Sequence, residues 1–206
     1  MPLVAVHATT PRFRGLFPDW TGFQPLSFFF AENLLEARRD SMFPTNGAGP
    51  DEDVNVYLIH LFTGFLAGHH DPRVDLGAGG LHHPCGKELG RRNRAHWYRV
   101  NGDHRLLYLG LFDRGNGRRR RKVPFGFDEA GSRTRDLQAG RACYGQAADL
   151  LESRPGTSAG QVAVWRKLAE NFEDYVHVLG VLAVRRLGMG ANLSDDDLAG
   201  LFREAG

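Results

Sequence analysis

From Val54 onward, apolar residues recur at Tyr57, Leu58, Leu61, Phe62 and Phe65. Steps of three, one, three, one and three place all of them on one side of a 3.6-residue helix, with no competing two-residue alternation. Asp51, Glu52 and Asp53 precede them, where the helix dipole favours acidic groups, and Gly68 follows as a stop. A second stripe, Val162, Trp165, Ala169, Phe172, Val176, Leu179 and Ala183, predicts one helix from about Ala159 to Leu187. At 1.5 Å per residue it would span roughly 40 Å. Beyond Tyr175 it gains Val178, Val181, Leu182 and Val184, the pattern of a helix covered on most sides.

The other elements are read from weaker signals. Ser27 can cap a helix running to about Asp40, with Phe28, Leu34, Leu35 and the stem of Arg38 facing inward and Glu32 and Glu36 facing water. Met42-Phe43-Pro44 ends it. A basic amphipathic stretch covers Lys87 to Val100, Asn101-Gly102 breaks it, and Asp103 caps a short apolar helix from Leu106 to Phe112. Another helix covers about Arg133 to Ser153, packed through Leu137, Ala142, Tyr144, Ala147, Ala148 and Leu151, and a last one follows Ser194. Residues 1–26 carry Pro2, Pro11, Pro18 and Pro25 among Phe13, Phe17, Trp20 and Phe23, which suits an irregular arm and excludes a long helix. The fold expected is all-α: an arm, 1–26, and a single helical domain, 27–206, built as a bundle of about six helices. Its core is expected to contain Tyr57, Leu61, Phe65, Trp165, Phe172, Val176 and Leu179.

Composition adds little to this picture: 206 residues, 42% hydrophobic and 24% charged, describe an ordinary globular chain. No apolar run reaches the roughly 20 residues of a membrane span, and Met1 to His7 lack the pattern of a secretory signal, so a cytoplasmic location is expected, with no membrane partner. Cys85 and Cys143 are then expected as unbridged thiols. Charge is more informative. Residues 91–122 hold eleven basic residues against Asp103 and Asp113, a local charge of +9, whereas the remainder holds 15 basic and 22 acidic residues.

Three stretches carry a resemblance: Asp53 to Leu66 (DVNVYLIHLFTGFL), Asn101 to Phe112 (NGDHRLLYLGLF) and Leu137 to Tyr144 (LQAGRACY). They resemble a family of uncharacterised, all-helical bacterial proteins of about this size, over perhaps half of the chain. In that pattern Gly-Asp precedes a short apolar helix ending in Gly-x-Phe, and Gly-Arg-x-x-Tyr follows in the next helix. Gly102-Asp103, Gly110-Leu111-Phe112 and Gly140-Arg141 with Tyr144 occupy those positions. The resemblance implies a helical fold and no particular activity.

Candidate chemistry is sparse. His69, His70, His82, His83 and Cys85 are residue types that bind zinc, but their spacing fits no finger or ribbon; His82, His83 and Cys85 are the metal candidates, and a solvated polar loop is the plainer account. Asp174-x-x-His177 has di-iron spacing without the second copy such a site requires. Arg118, Arg119, Arg120 and Arg121 are the nucleic-acid candidates, backed by Lys122, Arg91, Arg92, Arg94, Arg99, Arg105 and Arg114, with His96, Trp97 and Tyr98 as stacking groups. No nucleic-acid-binding signature accompanies them, and a basic loop can instead pair with an acidic body. No phosphate loop, nucleophile elbow or zinc-protease motif occurs. Arg141 and Tyr144, one turn apart, suit a buried polar pair. The leading expectation is a non-enzymatic module that binds another protein or itself, without a cofactor. The alternatives are polyanion binding through 91–122 and a metal protein or metal-dependent enzyme using 69–85.

Overall fold

The computed structural model describes residues 25–43, 51–66, 90–112, 132–152 and 159–187. Among these the chain is an all-α helical bundle, 92% helical and without a strand. The helices are α1 (Leu26–Asp40), α2 (Glu52–Leu66), α3 (Arg91–Leu107), α4 (Ser132–Glu152), α5 (Ala159–Glu170) and α6 (Phe172–Val181). Two π-helical turns extend them: π1 (Tyr108–Phe112) follows α3 and π2 (Leu182–Arg186) follows α6. The helix expected after Ser194 lies outside the described residues, as does the arm before Pro25.

The chain divides into two compact units, with the boundary inside α6 between His177 and Val178. The first contains α1, α2 and the end of α6 with π2. Val54, Leu58, Phe62 and Phe65 of α2 are buried as the spacing predicts, while Tyr57 and Leu61 are only half-buried. Phe30 stacks on Phe62 at 5.4 Å between ring centroids. The buried side of α1 is therefore Phe29, Phe30, Leu34, Ala37 and Arg38, whereas Phe28 and Leu35, expected inside, are exposed. The helix begins at Leu26, so Ser27 is within it and does not cap it; Pro25 stands at the cap position without a side-chain bond. The stretch offers more than one apolar face, and packing against α2 turns Phe29, Phe30 and Leu34 inward.

Arg38 joins the end of α1 to the start of α2. Its fully buried guanidinium donates Nη1 to Asn55 Oδ1 at 2.5 Å and Nη2 to Asp51 Oδ2 at 2.9 Å, with its cation 4.8 Å from the Phe43 ring centre. Arg186 ties π2 to α1 through Glu36 at 2.7 Å and Asp40 at 2.8 Å.

The second unit contains α3 with π1, α4, α5 and the start of α6. Here α3 corrects the expectation of a break at Asn101-Gly102. It runs unbroken through both residues, and Asn101 returns its side-chain amide to the Trp97 carbonyl at 2.9 Å, satisfying itself inside the helix. From Val100 to Leu111 this helix is buried nearly all round.

The single helix expected over 159–187 is instead α5, a turn at Asn171, α6 and π2. Every residue of the predicted apolar stripe is buried, and the interruption is local: the Asn171 N–H still bonds the Lys167 carbonyl at 3.0 Å and the Tyr175 N–H the Asn171 carbonyl at 3.1 Å. The interruption has polar causes. Arg141 reaches from α4 and donates Nε to the Ala169 carbonyl at 3.0 Å and Nη2 to the Glu170 carbonyl at 2.9 Å. Asn171 donates its side-chain amide to the Lys167 carbonyl at 3.2 Å. Carbonyls drawn toward outside donors loosen the helical ladder locally.

Candidate functional site

The polar residues of the second unit converge where α3, α4 and the α5–α6 turn meet. Asp103, spaced four residues after Arg99, receives the Arg99 guanidinium on Oδ2. Its other oxygen, Oδ1, accepts the Tyr144 hydroxyl from α4 at 2.7 Å. Asp103 and Tyr144 are both buried, so the carboxylate takes both a charged and a neutral donor in a low-dielectric setting, where such bonds are strong. Arg99 also lies 3.5 Å from His96 Nδ1.

Two glycines make the convergence possible. A β-carbon at Gly102 would sit 3.3 Å from three atoms of the Tyr144 ring, so the ring lies flat against the α3 backbone with its hydroxyl over the next residue, Asp103. At Gly140 a β-carbon would run into the edge of the Phe172 ring, with Cε1 at 2.6 Å. Tyr144 and Phe172 then meet at 6.0 Å between centroids, tilted by 52°. Gly102-Asp103 and Gly140-Arg141-x-x-Tyr144 are thus one interlock between three helical segments. Asp103 does not cap a new helix, and Arg141 and Tyr144 do not pair with each other: Arg141 is exposed and caps α5, while Tyr144 turns inward to Asp103.

Arg105 and Cys143 complete the cluster. Arg105 is fully buried, with Nη1 3.4 Å from the Asn101 carbonyl and Nε without a partner. Burial pushes the Cys143 thiol up to about 11, against a partial lowering by Arg105 and a further rise from Asp103. A thiol held protonated this far above neutrality is a poor nucleophile and a poor metal ligand. Because its folded pKa exceeds the unfolded value near 9.0, it favours the fold fully below that pH, and the contribution disappears as pH rises toward 11. Up to about 2–3 kcal/mol is at stake. Denaturant titrations between pH 8 and pH 11, as bounds on the order of the two pKa values, are expected to lose more stability for the native chain than for Cys143→Ala. Equal losses would contradict the assignment.

The sequence-derived site residues fare unequally. His82, His83, Cys85 and Arg118 to Arg121 lie outside the described residues. Among the described residues no group of three or more metal-ligating side chains converges. Glu170, Asp174 and His177 are exposed, on the polar face expected of them. Of the arginines thought to back a polyanion surface, Arg91 and Arg92 are exposed, but Arg99 is engaged by Asp103 and Arg105 is internal. Trp97, proposed as a stacking platform, is buried with its ring edge-on to Tyr98 at 5.1 Å. Part of the local charge of the basic segment therefore serves the interior of its own unit.

A feature not anticipated from the sequence lies in the first unit. Phe28 is 65% exposed, Leu35 48% and Met42 88%; with Val56 and Val184 they are the exposed large apolar side chains among the described residues. All five belong to that unit. Met42 also has φ of 54° and is the one non-glycine residue with positive φ among the described residues. Its N–H bonds the Arg39 carbonyl at 3.1 Å and the Phe43 N–H bonds the Arg38 carbonyl at 3.2 Å, the paired bonds of a Schellman ending. Glycine is the usual occupant of that position, because a β-carbon costs about 1 kcal/mol there. The visible signal was the seven-residue spacing of Phe28, Leu35 and Met42, which the predicted inward stripe concealed.

No described helix is long and apolar enough to cross a membrane. Protein-family models, curated proteins and solved structures offer no match to the chain.

Proposed function

We propose that the chain is a non-enzymatic, cytoplasmic helical module that binds another protein chain through α1, and that it belongs with the uncharacterised bacterial proteins its sequence resembles. The observation that carries this reading is the exposed apolar series Phe28, Leu35 and Met42, ending in a methionine held where glycine is favoured. Exposed apolar side chains clustered along one helix and at its end mark association surfaces more often than scattered single ones do. The polar residues of the second unit support the same reading, since Asp103, Tyr144, Arg99 and Arg141 hold helices together and Cys143 is a protonated thiol.

Site-specific photo-crosslinking tests it. A crosslinking residue at Leu35 is expected to give discrete protein adducts in cells, and one at the exposed Gln146 of α4 to give none of them. No adduct from position 35, or the same adducts from both positions, would sink the proposal.

A further inference from the structure

We infer that α1 pairs with α1 of a second copy of this chain, antiparallel, about a twofold axis through Leu35. The inference rests on the association reading above and names its partner. Along the outer side of α1 lie Phe28, Glu32, Leu35 and Arg39, separated by steps of four and three, and Met42 follows just past the end of the helix. Those steps keep the four helical residues in one band, as in a coiled-coil seam. All five are exposed, and neither Glu32 nor Arg39 has an ion pair among the described residues.

The band is self-complementary only when reversed. A twofold axis at Leu35 sets each Leu35 against its counterpart and each Phe28 against the end of the other copy's α1, just past which Met42 stands. The same operation brings Glu32 to within one residue of the opposing Arg39, giving two symmetry-related Glu–Arg ion pairs across the axis. Parallel pairing would stack Glu32 on Glu32 and Arg39 on Arg39, which like-charge repulsion disfavours. A closed twofold contact of this kind is the commonest arrangement of identical chains. It also accounts for Met42. A glycine there would relax the Schellman ending but remove the side chain that covers Phe28 of the other copy.

One helix face is a small interface, so the dimer is expected to form reversibly at roughly micromolar concentration. Sedimentation equilibrium of the full chain over a hundredfold concentration range, as an order-of-magnitude span, should reveal it. Glu32→Arg and Arg39→Glu are each expected to weaken dimerisation about tenfold, and the two together to restore it. Met42→Gly should raise the melting temperature while weakening the dimer. In a Cys85→Ser background, Leu35→Cys should form a disulfide-linked dimer on oxidation and Phe28→Cys should not, because those positions lie on the order of 20 Å apart across the axis. A monomer at all concentrations, an unrestored charge swap, or crosslinking at both cysteine positions overturns the inference. If Leu35 photo-crosslinks only to a different protein, antiparallel pairing falls while the association reading stands. If it crosslinks to nothing, both fall.

Discussion

Asp103→Ala is expected to destabilise the chain by about 3–5 kcal/mol, the usual consequence of removing one partner from a buried ionic contact. The loss has two parts. Arg99 loses this carboxylate beside the buried half of α3, and the Tyr144 hydroxyl loses this acceptor. An orphaned buried hydroxyl alone costs about 1–3 kcal/mol. At roughly 2–4 °C per kcal/mol for a chain of this size, the melting temperature should fall by about 10 °C. Tyr144→Phe removes the donor and leaves Asp103 with Arg99, so it should cost only about 1–2 kcal/mol. The informative variant is the double one. Once the hydroxyl is gone, Asp103→Ala no longer removes its acceptor, and the double mutant should be less destabilised than the sum of the singles by about 1 kcal/mol or more. Calorimetry on the four proteins measures this directly. Strict additivity, or an Asp103→Ala variant as stable as the parent, would mean that the carboxylate does not clamp α3 to α4.

Gly140→Ala is the second large effect, and its direction is opposite to what helix propensity predicts. Both Gly140 and Gly145 lie within α4, and alanine in a helix interior is ordinarily better than glycine by about 1 kcal/mol. Gly145 has nothing within 4 Å of the position a β-carbon would take, so Gly145→Ala should gain most of that amount. At Gly140 the same methyl group meets the ring of Phe172, which is itself buried and backed by Tyr144. Overpacking of this kind costs typically 1–3 kcal/mol, and here the obstacle is a rigid ring that has little room to turn, so a net loss of about 2 kcal/mol or more is expected. Trimming the ring should reverse the sign of the interaction: Phe172→Leu, destabilising alone, is expected to recover part of the loss in the Gly140→Ala background. Chemical denaturation of the two glycine variants and the double mutant measures each term. Stabilisation by Gly140→Ala would show that Phe172 does not press on α4.

Phe172 also illustrates how far a stripe of apolar residues can be trusted. Its burial followed from spacing alone, together with that of Val162, Trp165, Ala169, Val176, Leu179 and Ala183, because a 3.6-residue repeat leaves one solution for which side faces inward. The same holds for Val54, Leu58, Phe62 and Phe65 in α2. The all-α class and the positions of α2 and α4 were legible for that reason: amphipathic periodicity is local, and a helix satisfies its own backbone.

What the chain's pattern alone did not determine depends on groups far apart in sequence. The turn at Asn171 is produced in part by Arg141, about thirty residues earlier, which takes two carbonyls of α5. Asp103 reads locally as a helix cap, and only the approach of Tyr144, across the flat side of Gly102, makes it a buried clamp. Arg99 and Arg105 count equally with Arg91 and Arg92 in any sum of charge, yet packing buries Arg105 and turns Arg99 onto Asp103 while Arg91 and Arg92 stay exposed. On α1, phenylalanines at 28, 29 and 30 and leucines at 34 and 35 allow more than one inward face by periodicity. The contacts with α2 and π2 selected Phe29, Phe30 and Leu34, and so left Phe28 and Leu35 outside. Periodicity ranks faces by apolar content, and where two faces are nearly equal the choice passes to whichever neighbour the tertiary fold supplies.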